Sequence, residues 1–106
     1  MARNLFLVFS NPRPGREAEY HRWYEEQHLK EVVSVPPYVA AQRYRVADAQ
    51  VNPQTHRYVI AYEFEGTAEE ARKALLEAFP HPPMDLMQDV FVVFAEAFGE
   101  RADAGS

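Results

Sequence analysis

Hydrophobic and polar positions along this chain repeat with two different periods, and the switches between them mark out its elements. Leu5–Ser10 (LFLVFS) is apolar at consecutive positions. A strand sends neighbouring side chains to opposite faces, so a strand here carries apolar groups on both. Asn11, Pro12, Pro14 and Gly15 stop it with turn chemistry. From Arg16 to His28 the period becomes helical: Tyr20, Trp23, Tyr24 and Gln27 fall on one stripe at i, i+3, i+4 and i+7. Leu29 falls opposite that stripe if the helix stays regular. The regular helix is therefore expected to end near His28, with a rearrangement through Lys30–Val35. Pro36 and Pro37 forbid any continuation.

Tyr38–Val46 (YVAAQRYRV) reads as a strand with Tyr38, Ala40, Gln42, Tyr44 and Val46 on one face and Val39, Ala41, Arg43 and Arg45 on the other. A polar loop, 47–56, carries the turn signal Asn52-Pro53. Arg57–Glu65 alternates clearly, with Tyr58, Ile60, Tyr62 and Phe64 opposing Val59, Ala61, Glu63 and Glu65, and Gly66 closes it. Thr67 with Glu70 three residues on is a capping box. It opens a helix, Ala68–Phe79, whose stripe is Ala71, Leu75 and Ala78 and which Pro80 ends. An irregular loop over 81–89 leads to a last strand, Val90–Phe98, again apolar on both faces over most of its length.

The order strand, helix, strand, strand, helix, strand is the split β-α-β pattern of ferredoxin-like α+β folds. The expected product is a four-stranded antiparallel sheet with two helices on one face. Two helices cover only that face, yet the first and last strands are apolar on both. Each large side chain covered on the second face is worth roughly 1.5–3 kcal/mol, and an apolar patch of that size is abnormal on a monomer. A homodimer packed sheet to sheet about a two-fold axis is the expectation.

Composition narrows the function classes. At 106 residues the chain is expected to form one domain, 1–98, followed by a disordered tail, 99–106. The net charge of −5 argues against nucleic acid, whose phosphates require a basic footprint. No apolar run approaches the length of a membrane span, so no membrane partner is expected. The run near the N-terminus is shorter than a secretory signal. With no cysteine there is no disulfide, thiolate nucleophile or cysteine metal site, and the cytoplasm is the expected compartment.

The run FLVFSNP, the helix WYEEQHL (Trp23–Leu29), the segment EVVSVP (Glu31–Pro36) and the strand AAQRYRV (Ala40–Val46) resemble the dimeric α+β barrel superfamily, in particular its EthD-like branch. The pattern covers most of the chain and the specific residues about 5–46. Relatives usually place Pro-Gly before the second strand, where this chain has Pro36-Pro37. The resemblance implies a ferredoxin-like dimer. The superfamily includes cofactor-free monooxygenases, polyketide cyclases, lactone isomerases, haem proteins and members without known activity, so it raises the fold expectation far more than the functional one. It also places a histidine at the position of His28, facing a pocket between helix and sheet.

Two readings of His28 stand. A neutral imidazole there can take a proton from a phenol or an activated carbon acid; alternatively it satisfies the helix end. Tyr24 and Arg43 are candidates to polarise or orient a substrate oxygen, although Arg43 could equally sit in a cross-strand ion pair with Glu63. Trp23, Tyr20, Tyr44 and Tyr62, with His81 from the last loop, are candidates to line a site for a small apolar or aromatic ligand, against the plainer reading that most are core or solvated loop. Glu25-x-x-His28 has di-iron spacing but occurs once, where such sites need two copies, so no metal and no cofactor are expected. The resulting expectation is a small cofactor-independent enzyme on an aromatic or polyketide-like molecule, an oxygenase, cyclase or isomerase. Its cavity would lie between the first helix and the sheet, with His28 at the edge. The alternative is a non-catalytic homodimer that binds a small molecule.

Overall fold

The computed structural model describes residues 3–105. Residues 1, 2 and 106, which belong to the domain and tail read from the sequence, lie outside the described residues. Strands β1 (Asn4–Pro12), β2 (Tyr38–Arg45), β3 (Tyr58–Phe64) and β4 (Met87–Ala95) form one antiparallel sheet in the order β2-β3-β1-β4. The helical segments come after β1 and β3, as the ferredoxin-like pattern requires. Phe6, Val8, Ile60, Tyr62 and Phe64 on the inner face pack with Tyr20, Tyr24, Val32 and Ala71 from the helices as one core. Phe6, central in this layer, stacks on Phe94 with ring centroids 4.2 Å apart.

The first helix does not end at His28. It runs as α1 (Glu17–Trp23), a π-helical turn (Tyr24–His28) and α2 (Leu29–Val33). In the π turn the Leu29 N–H donates to the carbonyl of Tyr24, five residues back. The extra residue rotates α2 by about 100° relative to a regular helix. Leu29, which regular geometry sends away from the core, now packs against it, and Val32 is fully buried. Burying two such side chains, at roughly 1.5–3 kcal/mol each when complete, offsets the poorer hydrogen-bond geometry of the wide turn. A cis peptide bond joins Pro36 to Pro37, and β2 begins at Tyr38.

Strand β2 departs from simple alternation. The register slips between Tyr38 and Ala40, so that Tyr38 faces Phe64 and Ala40 faces Glu63, with Val39 as an extra residue. This bulge puts Tyr38 on the same face as Ala41 and Arg43 and leaves Tyr44 on the other. A second irregularity, between Phe9 and Asn11 in β1, lets β4 begin at Met87 rather than Val90. Pairing of Asn11 with Gln88 and of Pro12 with Met87 carries the sheet into the 81–89 segment, expected to be an irregular loop.

Asn11, buried beside this bulge, satisfies three elements at once. Its amide donates to the Thr55 carbonyl (2.9 Å) and to Asp89 (3.2 Å), and its oxygen accepts from the Arg57 N–H (2.7 Å). Helix α3 (Ala68–Ala78) opens with both hydrogen bonds of the Thr67–Glu70 capping box and buries Ala71. Ala78, expected on its buried stripe, is exposed. After Ala95 the described chain forms no further helix or strand. The outer face of the sheet carries Leu5, Leu7, Phe9, Val59, Phe91 and Val93, with Phe91 56% exposed.

Candidate functional site

A cleft of about 230 Å³ lies between the first helix, the C-terminal end of α3 and the β1/β4 side of the sheet. Phe6, Val8 and Tyr62 from the sheet, Met87, Val90 and Val92 from β4, and Leu75, Leu76 and Phe79 from α3 and its end line it. Pro80, Pro82 and Met84 come from the loop between α3 and β4, and Trp23, Tyr24 and His28 from the first helix. A larger hollow of about 460 Å³ sits within the polar β2–β3 loop; its lining comes from that loop and its flanks alone, from Val46 to Arg57, and it brings no separate elements together.

His28 is fixed by its neighbours. Its ring stacks on the Trp23 indole with centroids 4.2 Å apart and planes within 13°. Phe79 meets it edge-on at 5.0 Å. Its Nδ1 lies 3.5 Å from a Glu31 carboxylate oxygen but forms no hydrogen bond to it, and this buried nitrogen has no other partner. Burial holds the imidazole below its ordinary pKa, with Glu31 opposing in part. The ring is therefore neutral near pH 7 and has a lone pair to offer. Beyond it, a second hollow lined by Gln27, Glu31 and His81 shares Trp23, His28 and Phe79 with the cleft. His28 thus stands between an apolar cleft and a more polar approach.

Two phenols complete the polar part of the cleft. The Tyr24 hydroxyl donates to the Met87 sulfur at 3.9 Å, a weak acceptor. The Tyr62 hydroxyl is buried and has no hydrogen-bond partner among the described residues. Burial pushes both pKa values up, so both remain O–H donors across the accessible range.

The other sequence candidates lie elsewhere. Arg43 is not in the cleft lining. Its guanidinium donates to Glu25 (2.9 Å), bonds His21 Nδ1 (2.8 Å) and lies over the rings of Tyr20, Tyr24 and Tyr58. Its ion-pair partner is on the helix, not Glu63 across the sheet. Tyr20 is a core residue whose hydroxyl bonds Ser10 Oγ at 2.6 Å. Tyr44 points to the outer face and is 53% exposed. His81 reaches only the outer hollow. The structure therefore gathers His28, Trp23, Tyr24 and Tyr62 at the cleft and sets Arg43, Tyr20 and Tyr44 apart from it.

Sequence reasoning misses the cleft's far wall. By pattern alone Phe79 is a helix end and Met87 is loop. The available signal is the methionines and prolines of 80–87, which are apolar but obey no period. Among the described residues no group of three or more histidine or acidic side chains could hold a metal ion, and no helix is long and apolar enough to cross a membrane.

No protein-family model matches the chain. No curated protein matches it either. Among solved structures it is similar to an EthD (ethyl tert-butyl ether D) family protein from Bacillus halodurans, with a TM-score of 0.54, 9% identity, and coverage of 90% of this chain and 99% of that one. The chain shares the ferredoxin-like α+β fold of that protein, the fold that its own sequence resemblance implied. At this identity residue roles do not transfer, and the site rests on its own geometry.

Proposed function

We propose that the cleft binds a small molecule and that His28 acts on it as a general base, with no cofactor. The observation that carries this reading is a neutral imidazole, buried and clamped between Trp23 and Phe79, at the edge of an apolar cleft. A neutral imidazole can take a proton from carbon or a phenol, and a nearby O–H can stabilise the anion that forms. Tyr24 and Tyr62 supply such donors. In the step proposed, the C–H or O–H proton moves to the imidazole and the electron pair stays on the substrate as an enolate or phenolate. Isomerisation, cyclisation and oxygenation of an aromatic or polyketide-like substrate all begin this way.

The test is exchange of the acidic carbon protons of 2-tetralone, a two-ring ketone, monitored by NMR in D₂O. The wild type is expected to accelerate exchange and His28→Ala to lose about 10²–10⁴-fold of that rate. Exchange no faster than in buffer would remove the catalytic half of the proposal. The fixed stacking of His28 also favours a second reading, a binding protein that performs no reaction; it predicts saturable binding with no exchange.

We further propose that a second copy covers the outer sheet face. The apolar row Leu5, Leu7, Phe9, Val59, Phe91 and Val93 runs across adjacent strands, and a two-fold axis through it would cover it with the same row of a second copy. Sedimentation of the full chain at micromolar concentration is expected to give a dimer.

A further inference from the structure

We infer that the cleft selects uncharged, ring-bearing ligands and anchors their acceptor oxygen on the Tyr62 hydroxyl. The inference rests on the reading of the cleft as a ligand site and names what that site accepts. Among the described residues no lysine, arginine, aspartate or glutamate lines the cleft. The guanidinium on the same sheet face, Arg43, is outside the cleft lining and its two terminal nitrogens bond Glu25 and His21, while its Nε is buried without a partner among the described residues. The imidazole at the edge is neutral. A carboxylate or ammonium entering here gives up its hydration and finds no counter-charge, which is costly.

An uncharged molecule with one acceptor meets the opposite situation. Buried hydroxyls in folded proteins are nearly always paired. Tyr62 is 1% exposed and borders the cleft, and its buried hydroxyl has no partner among the described residues, so a small shift of the surrounding side chains brings it to a ligand. A ligand carbonyl or phenol oxygen supplies what the fold withholds. The neighbouring Tyr24 hydroxyl spends its proton only on a thioether and can turn toward a better acceptor. Size and shape agree. About 230 Å³ is below the usual range of drug-sized pockets, roughly 300–1,000 Å³, and suits one or two rings. The parallel Trp23–His28 pair offers a flat aromatic wall.

The chain contains a single tryptophan, and it lines the cleft, so its fluorescence reports occupancy directly. Three probes of nearly equal shape are titrated: 2-acetylnaphthalene, 2-naphthoate and naphthalene. The ketone is expected to quench Trp23 saturably and 2-naphthoate to bind more than about tenfold more weakly. Tyr62→Phe is expected to weaken the ketone up to about tenfold, the worth of one neutral hydrogen bond, while leaving naphthalene unchanged. Naphthalene binding is thus the check that the variant's cleft is intact. If 2-naphthoate binds as tightly as the ketone, or Tyr62→Phe weakens ketone and naphthalene alike, the inference is overturned while the cleft remains a binding site. If no probe quenches, the cleft reading falls and this inference with it. The wild-type comparison of ketone with carboxylate decides the charge claim even if the variant does not fold.

Discussion

Removing the Tyr62 hydroxyl should make the empty protein more stable. A buried hydroxyl with no partner forfeits about 1–3 kcal/mol of hydration that folding does not return. Tyr62→Phe cancels that loss and keeps the ring, which stacks on Phe6 at 5.6 Å. The lost oxygen leaves little new void, because the ring borders an existing cleft. The expected gain is about 1–2 kcal/mol. At roughly 4 °C per kcal/mol for a domain of this size, the melting temperature should rise by about 4–8 °C. Two other buried tyrosines serve as controls with the opposite sign. The Tyr38 hydroxyl donates to the Ala71 carbonyl at 2.7 Å, and Tyr20 bonds Ser10 at 2.6 Å. Tyr38→Phe and Tyr20→Phe should each cost about 1 kcal/mol, the latter somewhat more because the buried Ser10 hydroxyl loses this partner. Calorimetric melts of the three variants without ligand decide the matter. If Tyr62→Phe destabilises as Tyr38→Phe does, the hydroxyl is satisfied, by water for instance, and it holds nothing in reserve for a ligand. A stabilised variant that binds the ketone less well would carry the signature of a group kept for function at a cost in stability.

The same geometry yields other outcomes. Glu31 raises the His28 pKa against the larger effect of burial, so Glu31→Gln should move the His28 titration to lower pH; two-dimensional NMR of the ring protons measures this, and an upward shift would refute it. His28 and His21 both have folded-state pKa values lowered mainly by burial. The unfolded chain therefore takes up protons first as pH falls, so stability should be fully present above about pH 6.5 and decline below it toward the folded values; His28→Gln should flatten urea-denaturation stability between pH 7 and 5. Phe91→Asp places a charge on the exposed apolar face, 56% exposed in the single chain, and should convert the proposed dimer to monomer in sedimentation while leaving circular dichroism unchanged; an unaltered dimer would place the interface elsewhere.

Whether a residue is legible in the sequence depends on whether it obeys a period. Tyr58–Phe64 alternates without interruption, and its inner and outer faces are as the alternation gives them. The capping box at Thr67 is local chemistry and needs no tertiary knowledge. The departures that matter for the site sit where one residue is inserted into a repeat. Nothing in YEEQH announces a π turn; the trace is Leu29, an apolar residue on the wrong side of a regular helix. The Val39 bulge leaves a similar trace in β2, where a tyrosine joins a face otherwise holding Ala41 and Arg43. In the site, His28 and its aromatic neighbours are legible as types at helical spacing. The role of Arg43 is not, because whether a guanidinium faces a cleft or a glutamate depends on which side of the helix crosses above it. The solitary state of the Tyr62 hydroxyl is out of reach for the same reason: it is a property of what fails to arrive nearby.

The π turn has a further meaning for how such a site can be inherited or lost. Its effect depends on how the helix winds rather than on any one residue's identity. If this stretch wound as regular helix at its present length, everything beyond it would swing by about 100°. His28 could survive in the sequence and yet leave the cleft, with Leu29 and Val32 leaving the core beside it. Losing the extra residue together with the wide turn would leave α2 facing as it does now, so winding and residue count are matched to each other. Chains of this fold could therefore keep every side chain named above and still differ in whether they possess a site at all.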